Sequence, residues 1–253
     1  MLAACVGVMT DIDDTLTRDG VIEPAALDAL HRLQSAGLPV IAITGRPMGW
    51  SLPFARDWPV HAIVAENGAV ALQRTHGEVV VSYVQDQATR AQHRRKLDAV
   101  AARIVRDVPG ARPAQDSAGR VTDIAIDHSE CSVLDASSIQ RVVDIMRSQG
   151  LTATVSSIHI NGWIGAHSKW TGACWVVRRL FDRDLADEVA SWIYIGDSTN
   201  DQEMFAQCPN AVGVANLRRF ADVLTTWPTY LTDGERGAGV AEVVTAIVNH
   251  RRP

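Results

Sequence analysis

The chain has 253 residues, enough for one large or two modest domains, each with its own core. Apolar and charged contents of 47 % and 21 % are those of an ordinary globular protein and exclude a disordered or fibrous one. A net charge of −5 with no dense basic run argues against a nucleic-acid partner. No run reaches the ~18 apolar residues of a membrane span, and the apolar N-terminus lacks the basic region of a signal peptide. Cys5, Cys131, Cys174 and Cys208 are too scattered for a zinc site or a disulfide framework. The expectation is a cytoplasmic protein with buried thiols.

Cys5 to Met9 is a short apolar run and predicts a buried strand. Asp11, Asp13 and Asp14 follow it, then Thr15 and Thr17. Alternation along the strand puts Asp11 and Asp13 on one side and turns Ile12 away. In an open α/β sheet the ligand crevice lies at the carboxyl ends of the strands. Two neighbouring carboxylates repel unless a cation or a shared proton compensates, so the pair points to a metal or phosphate site. Helix capping, for which Asp and Thr are suited, explains one of these acids but not a pair behind a buried strand.

Pro24 opens an amphipathic helix, with Ala26, Leu27, Leu30 and Leu33 at helical spacing and Gly37 as its stop. Residues 38–43 read as a second buried strand. A right-handed βαβ unit brings Thr44, at its end, beside Asp11. The Thr44 hydroxyl can donate to a phosphate oxygen with the Gly45 backbone close by; it is equally suited to capping a helix that begins at Pro47. Residues 62–65 form a third strand ending in Glu66-Asn67-Gly68, a hairpin signal with 69–72 as the return strand. Asn67 is then either a turn residue or a substrate contact at the same sheet edge.

From about Thr75 the texture changes. A strand is predicted at 78–84, a long helix at 85–108, a loop at 109–119 and an alternating strand at 120–127. A helix at 133–149 and strands at 152–156 and 158–161 complete an inserted α+β module with one solvated or ligand-facing side. His159, Asn161 and Trp163 share a face, which suits a sugar-like ring but also an exposed sheet surface. Lys169 precedes a helix at 170–181, where an ammonium opposes the helix dipole and a nearby anion would relieve it. A strand at 192–195 ends in Gly196-Asp197-Ser198-Thr199-Asn200-Asp201, again acids at a strand end with a glycine for close backbone approach. A short strand and turn at 212–216 and a helix at 239–248 close the chain.

Four of these pieces resemble the motifs of the haloacid dehalogenase (HAD) superfamily of phosphohydrolases. Asp11-Ile12-Asp13-Asp14-Thr15 matches the first, Thr44-Gly45-Arg46 the second, Lys169 the third, and GDSTND at 196–201 the fourth. The insert between the second and third motifs, the Glu66-Asn67-Gly68-Ala69 ahead of it, and the tail GERGAGVAEVV resemble the type IIB branch. That branch includes the Cof-like sugar phosphatases, sucrose phosphatase and phosphomannomutase. Two departures are Val214-Ala215-Asn216-Leu217, where a Met-Gly-Asn turn is frequent, and Trp170, where Gly commonly follows the lysine.

The resemblance implies an α/β, doubly wound (Rossmann-like) parallel-sheet core over 1–74 and 167–253, with an α+β cap over 75–166. It implies a Mg²⁺-dependent phosphatase acting on a small phosphorylated metabolite, first of all a sugar phosphate, through an aspartyl-phosphate. Asp11 would be the nucleophile and Asp13 the acid and then the base, with Thr44 and Lys169 completing the catalytic set. Asp11, the Asp13 carbonyl and Asp197 would hold Mg²⁺, and Asn200 and Asp201 would orient Lys169 and the metal waters. Gly45, Arg46, Asn67, His159 and Asn161 are the candidate substrate contacts, and Asp14 is read as structural. A phosphomutase would share this core, but no bisphosphate-gripping arginine cluster is obvious in the cap, which favours hydrolysis. A receiver-type signalling domain also combines Asp, Thr and Lys, yet is much shorter and lacks the insert. The expected partners are the metabolite and at most a second copy of the chain (monomer or homodimer), with no nucleic acid and no membrane.

Overall fold

The computed structural model describes residues 4–251; positions 1–3 and 252–253, part of the expected core, lie outside the described residues. The chain opens with strand β1 (Gly7–Asp11), a small hairpin of β2 (Thr17–Arg18) and β3 (Val21–Ile22), helix α1 (Pro24–Ser35) and strand β4 (Val40–Ile43). Helix α2 (Met48–Asp57) and strands β5 (Ala62–Ala65), β6 (Val70–Thr75) and β7 (Glu78–Tyr83) follow. A second unit contains α3 (Gln87–Asp107), β8 (Arg112–Pro113), β9 (Asp123–Asp127), α4 (Ala136–Ser148), β10 (Thr152–Val155) and β11 (His159–Trp163). The chain returns through α5 (Lys169–Phe181), α6 (Leu185–Glu188), β12 (Trp192–Gly196), α7 (Gln202–Gln207), β13 (Ala211–Gly213), β14 (Tyr230–Leu231) and α8 (Arg236–Arg251).

The larger sheet has the order β14-β13-β12-β1-β4-β5-β6-β7. Strands β14 to β5 run parallel, and β6 and β7 antiparallel. Every residue of β1, β4, β5 and β12 is buried, because helices cover both faces. Val8, Val40 and Ala42 pack with Leu30 and Leu33 of α1 and Val240 and Val244 of α8. Met9, Ile41 and Ile43 face Ala173, Val176 and Val177 of α5 and Met204 of α7. The doubly wound core expected from the sequence is the one observed. With β4 on one side of β1 and β12 on the other, the winding reverses at β1, and Asp11 stands at that switch point.

The smaller sheet, β10-β11-β9-β8, is antiparallel throughout. On one face Ile124, Ile126 and Ile160 pack with Leu97, Val100 and Ile104 of α3 and Val142 and Met146 of α4. The alternate residues Asp123, Asp127, His159, Asn161 and Trp163 are also buried. Contacts such as Asn67 to Asp123 and Asn161 to the Gly45 carbonyl hold this second face against the strand ends of the larger sheet. The predicted alternation is therefore present, and docking on the core decides that the polar side is covered.

Two expectations need correction. The strand predicted at 78–84 belongs to the larger sheet, not to the insert, since β7 pairs with β6 from Val70–Tyr83 to Thr75–Glu78. Its Val79, Val81 and Tyr83 join the α1–α8 side of the core, a partnership that local polarity does not reveal. The strand predicted from Arg120 starts only at Asp123, because Gln115–Gly119 winds into a 3₁₀ turn and Arg120 is drawn into ion pairs with Asp116 and Asp123. No described helix is long and apolar enough to cross a membrane.

The hairpin signal at Asn67-Gly68 is realised as a tight turn, with Glu66, Asn67 and Gly68 at φ of 49°, 55° and 105°. A Cβ on Gly68 would lie 1.9 Å from the Ser168 carbonyl oxygen, so the turn packs directly on the entry to α5. Gly68→Ala is expected to cost more than about 3 kcal/mol, since backbone strain and a backbone clash add. Gly77→Ala, at φ of 86° with nothing within 4 Å, should cost only about 1–2 kcal/mol. Urea unfolding of the two variants checks the difference.

Candidate active site

Lys169 is the first residue of α5, whose start is closed by a reciprocal cap between Ser168 and Thr171. Its buried ammonium donates to Asp11 Oδ1 (2.5 Å) and Asp201 Oδ1 (2.7 Å), the anions that its position against the helix dipole calls for. Asp201 is held further by the Tyr194 hydroxyl (2.5 Å) and by the backbone N–H groups of Asp197 (2.9 Å) and Ser198 (3.0 Å). Burial pushes the Asp11 carboxyl above its ordinary range, Lys169 pulls it down, and the Asp201 and Asp13 carboxylates add to the rise. For Lys169 burial disfavours the charge, but Asp11 and Asp201 outweigh it and the net shift is upward.

Asp13 faces the other way. Its Oδ2 accepts from Thr44 Oγ1 (3.3 Å) and its Oδ1 from Arg46 Nε (3.0 Å). Thr44 Oγ1 also accepts from the Arg46 N–H (2.9 Å), so this hydroxyl shapes the turn before α2 and touches Asp13 at once. Pro47 caps α2 from just outside it.

Asp11, Asp13, Gly45, Arg46, His159, Asn161, Asp197 and Asn200 line one cleft, roofed by β11 and by Ser156 and Ser157 ahead of it. Residues from both ends of the sequence are thus brought together. The backbone of Gly45 fits closely here, since a Cβ would stand 3.1 Å from Asn67 Oδ1 and 3.4 Å from Asn161 Oδ1. Three expected residues are engaged by other groups of the chain. Asn67 donates to Asp123 Oδ2 (3.2 Å) and lines a separate cleft with Trp163 and Lys169. The Trp163 indole donates to the His167 carbonyl (2.9 Å) and stacks on the His167 ring, so it is spent on the chain's own link back to the core. The Asn200 amide oxygen accepts from Ser198 Oγ (2.9 Å), and Asp201 rather than Asn200 bonds Lys169.

The cleft is framed by an ionic network that local reading largely missed. Arg46 pairs with Asp13, with Asp116 (3.2 Å) and with Glu130 (2.6 Å). Arg120 pairs with Asp116 (3.1 Å) and Asp123 (2.9 Å) and donates to the Gly45 carbonyl (2.8 Å). Glu66 accepts from the N–H groups of Met48 (3.0 Å) and Thr122 (2.6 Å), and burial pushes its carboxyl up. The i, i+4 and i, i+3 spacing of Asp116, Arg120 and Asp123 was a usable signal; Glu66 was read only as part of its turn, and Glu130 carried none.

Carboxylate oxygens of Asp11, Asp197 and Asp201 lie within 4.8 Å of one another. Asp197 Oδ1 is buried without a hydrogen-bond partner, whereas Oδ2 accepts from Arg219 (2.9 Å). Burial, then Asp11 and Asp201, push the Asp197 carboxyl well above its usual range. An orphaned buried oxygen beside further acids fits a hard cation that prefers oxygen ligands, such as Mg²⁺. Asp201 is already committed to four donors, which leaves Asp11 and Asp197 as the side chains suited to ligation. The Asp13 carboxylate is turned to Thr44 and Arg46. Asp14, at φ of 56°, points away from Asp11 and pairs with Arg236 (2.7 Å) and Arg219 (2.8 Å). Those arginines outweigh burial and lower its pKa.

Residues 8–99 match the family model described as haloacid dehalogenase-like hydrolase. The structure aligns with one from Thermoplasma acidophilum (0175) at a TM-score of 0.72 and 15 % identity, covering 96 % of this chain and 98 % of that one. The chain has the haloacid dehalogenase fold. The sucrose-phosphatase of Synechocystis sp. PCC6803, solved with sucrose and phosphate, aligns at 0.67 and 14 % identity over 96 % of this chain and 97 % of its own. The HAD subclass IIB sugar phosphatase BT4131 aligns at 0.63 and 15 % identity over 95 % and 98 %. The resemblance drawn from the four motifs agrees with this family match and with the shared fold.

The His159 hydrogen bond, followed by the Arg46 contact, holds the Glu130 carboxyl down at about 2 against an ordinary 4.5. A folded pKa below the unfolded one gives stability that is present above pH 4.5 and is lost as pH falls toward 2. Because Glu130 is partly solvated, its share is about 1–2 kcal/mol after screening. Glu130→Gln should lose that amount at pH 7 and show a flatter acid limb, read as urea midpoints at neutral and acid pH.

Proposed function

We propose that this chain is a Mg²⁺-dependent phosphatase that hydrolyses the monoester of a small phosphorylated metabolite through an aspartyl-phosphate on Asp11. The observation that carries the reading is the placement of Asp11, at the end of β1, against Lys169 and in one cleft with Asp13 and Asp197. The difficulty such a site must overcome is charge. A carboxylate ~4 Å from a phosphate charge is repelled by ~4 kcal/mol at an effective dielectric of 20, about a thousandfold in rate. Mg²⁺, held by Asp11, Asp197 and the Asp13 carbonyl, would neutralise that charge when bound. Lys169 contributes a second positive charge directly on the nucleophile.

In the first half-reaction an Asp11 oxygen bonds to phosphorus, the ester oxygen leaves, and Asp13 gives it a proton. In the second, water attacks the aspartyl-phosphate, Asp13 takes the proton back, and phosphate leaves Asp11. Thr44 and Arg46 hold Asp13 at the edge of the cleft where the leaving group must lie. The roof of β11 excludes bulk water and supplies His159 and Asn161 toward that group. Polar contacts of this kind, together with the sugar phosphatases among the structural neighbours, make sugar phosphates the first class to test.

Phosphate release from a panel of phosphorylated metabolites, with Mg²⁺ and with EDTA, tests the reading. Asp11→Asn should lower release by about a thousandfold or more, and EDTA should abolish it. Release that survives Asp11→Asn would remove Asp11 as the nucleophile.

A further inference from the structure

Glu130 lies in the loop between β9 and α4, outside all four motifs and outside the machinery just described. Its carboxylate sits in a formed receptor. Oε1 accepts from Arg46 Nη2 at 2.6 Å, while Oε2 contacts His159 Nε2 at 2.9 Å and Arg46 Nη1 at 3.4 Å. An ionised carboxylate only accepts, so His159 Nε2 is the donor in that contact. The receptor side chains are 5 % and 2 % exposed, but Glu130 is 28 % exposed. Both receptor residues line the cleft that contains Asp11 and Asp13. A guanidinium this buried needs carboxylate partners, because an uncompensated ion in such a place costs several kcal/mol.

The Glu130 backbone is anchored independently of its side chain. The N–H groups of Ser129 (3.1 Å), Glu130 (2.9 Å) and Cys131 (2.8 Å) all donate to the Asp127 carboxylate. Emptying the receptor therefore requires only a side-chain rotation toward solvent. An incoming carboxylate would replace the departing one and leave the charge of the buried cluster unchanged. A neutral leaving group offers no such exchange.

We propose that Arg46 and His159 form a subsite for a carboxylate on the substrate's leaving group, and that Glu130 is the internal carboxylate occupying it until substrate displaces it. This rests on the phosphatase reading and narrows its substrate class to phosphorylated hydroxy acids. Spacing narrows it further. Arg46 binds Asp13 through Nε and the subsite through Nη2, so one guanidinium separates the acid that serves the ester oxygen from the bound carboxylate. A short hydroxy acid spans that separation.

The test compares kcat/KM for 3-phosphoglycerate against glycerol 3-phosphate, and for 6-phosphogluconate against glucose 6-phosphate, in wild type and Glu130→Gln. Wild type should favour 3-phosphoglycerate over its neutral partner by about tenfold or more, the scale of one charge-assisted hydrogen bond. Glu130→Gln should raise that ratio by about another tenfold, through KM. The longer acid should gain less, and Arg46→Lys, which keeps the charge but loses the fork, should narrow the preference. Calorimetric binding of the same esters to Asp11→Asn, with and without Glu130→Gln, reads the subsite without turnover and should show the same order. Hydrolysis of both members of each pair without preference, or a ratio that Glu130→Gln leaves unchanged or lowers, overturns the subsite while the phosphatase stands. Silence toward every ester overturns the phosphatase, and equal calorimetric affinity for acid and neutral esters would then overturn the subsite as well.

Discussion

The Lys169 ammonium, shared between Asp11 and Asp201, is the contact on which the site depends. Its partners lie 158 and 32 residues away in sequence, Asp11 at the end of β1 and Asp201 in the 3₁₀ turn after β12. A buried charge set of this kind is stable only as a whole. Removing one member leaves the others uncompensated, at a cost of several kcal/mol. The surrounding structure is arranged to keep it whole. Ser168 and Thr171 fix the start of α5, Gly68 lets the β5–β6 turn sit against it, and Tyr194 and two backbone N–H groups saturate Asp201. Asp11 is thereby placed by the packing of the core rather than by its own loop.

The second constraint lies between the two sheets. That boundary carries ion pairs and hydrogen bonds from Arg46, Arg120, Glu66 and Asp123, while each apolar cluster draws its residues from one unit. Polar groups at such a boundary can exchange partners with water or with a ligand, whereas a buried apolar face would pay the full hydrophobic cost of separation. The same choice lets one arginine serve three acids, Asp116 and Glu130 in the second unit and Asp13 in the core.

The legible parts of the sequence were those whose signals are local. The run 5–9 before Asp11, the βαβ spacing that delivers Thr44, the glycine turn at 66–68 and the acids after β12 each carry their information within a few residues. Chain handedness placed Thr44 beside Asp11 without coordinates, while the gathering of Lys169 and Asp197 with them was implied by the family resemblance. The alternation of β11 was equally visible, but not its environment, since an exposed face and a docked face are written with the same residues. Trp163 shows the limit. It shares the face of His159 and Asn161, yet the turn after β11 takes its indole for the His167 carbonyl.

By itself, the sequence indicated the buried strands, an α+β insert and Thr44 beside Asp11, because strand periodicity and connection handedness are properties of short stretches; the joining of Lys169 and Asp197 to that edge came from the family resemblance. Only the tertiary structure decided that β7 belongs to the larger sheet, that Asp201 rather than Asn200 holds Lys169, and that Arg46 is shared among Asp13, Asp116 and Glu130. The reason is the same in each case. A hydrogen-bonded partner or a counter-ion is chosen by whichever group the fold brings within 3 Å or so, and residues 70 or 84 positions apart leave no trace of that choice in their own neighbourhoods.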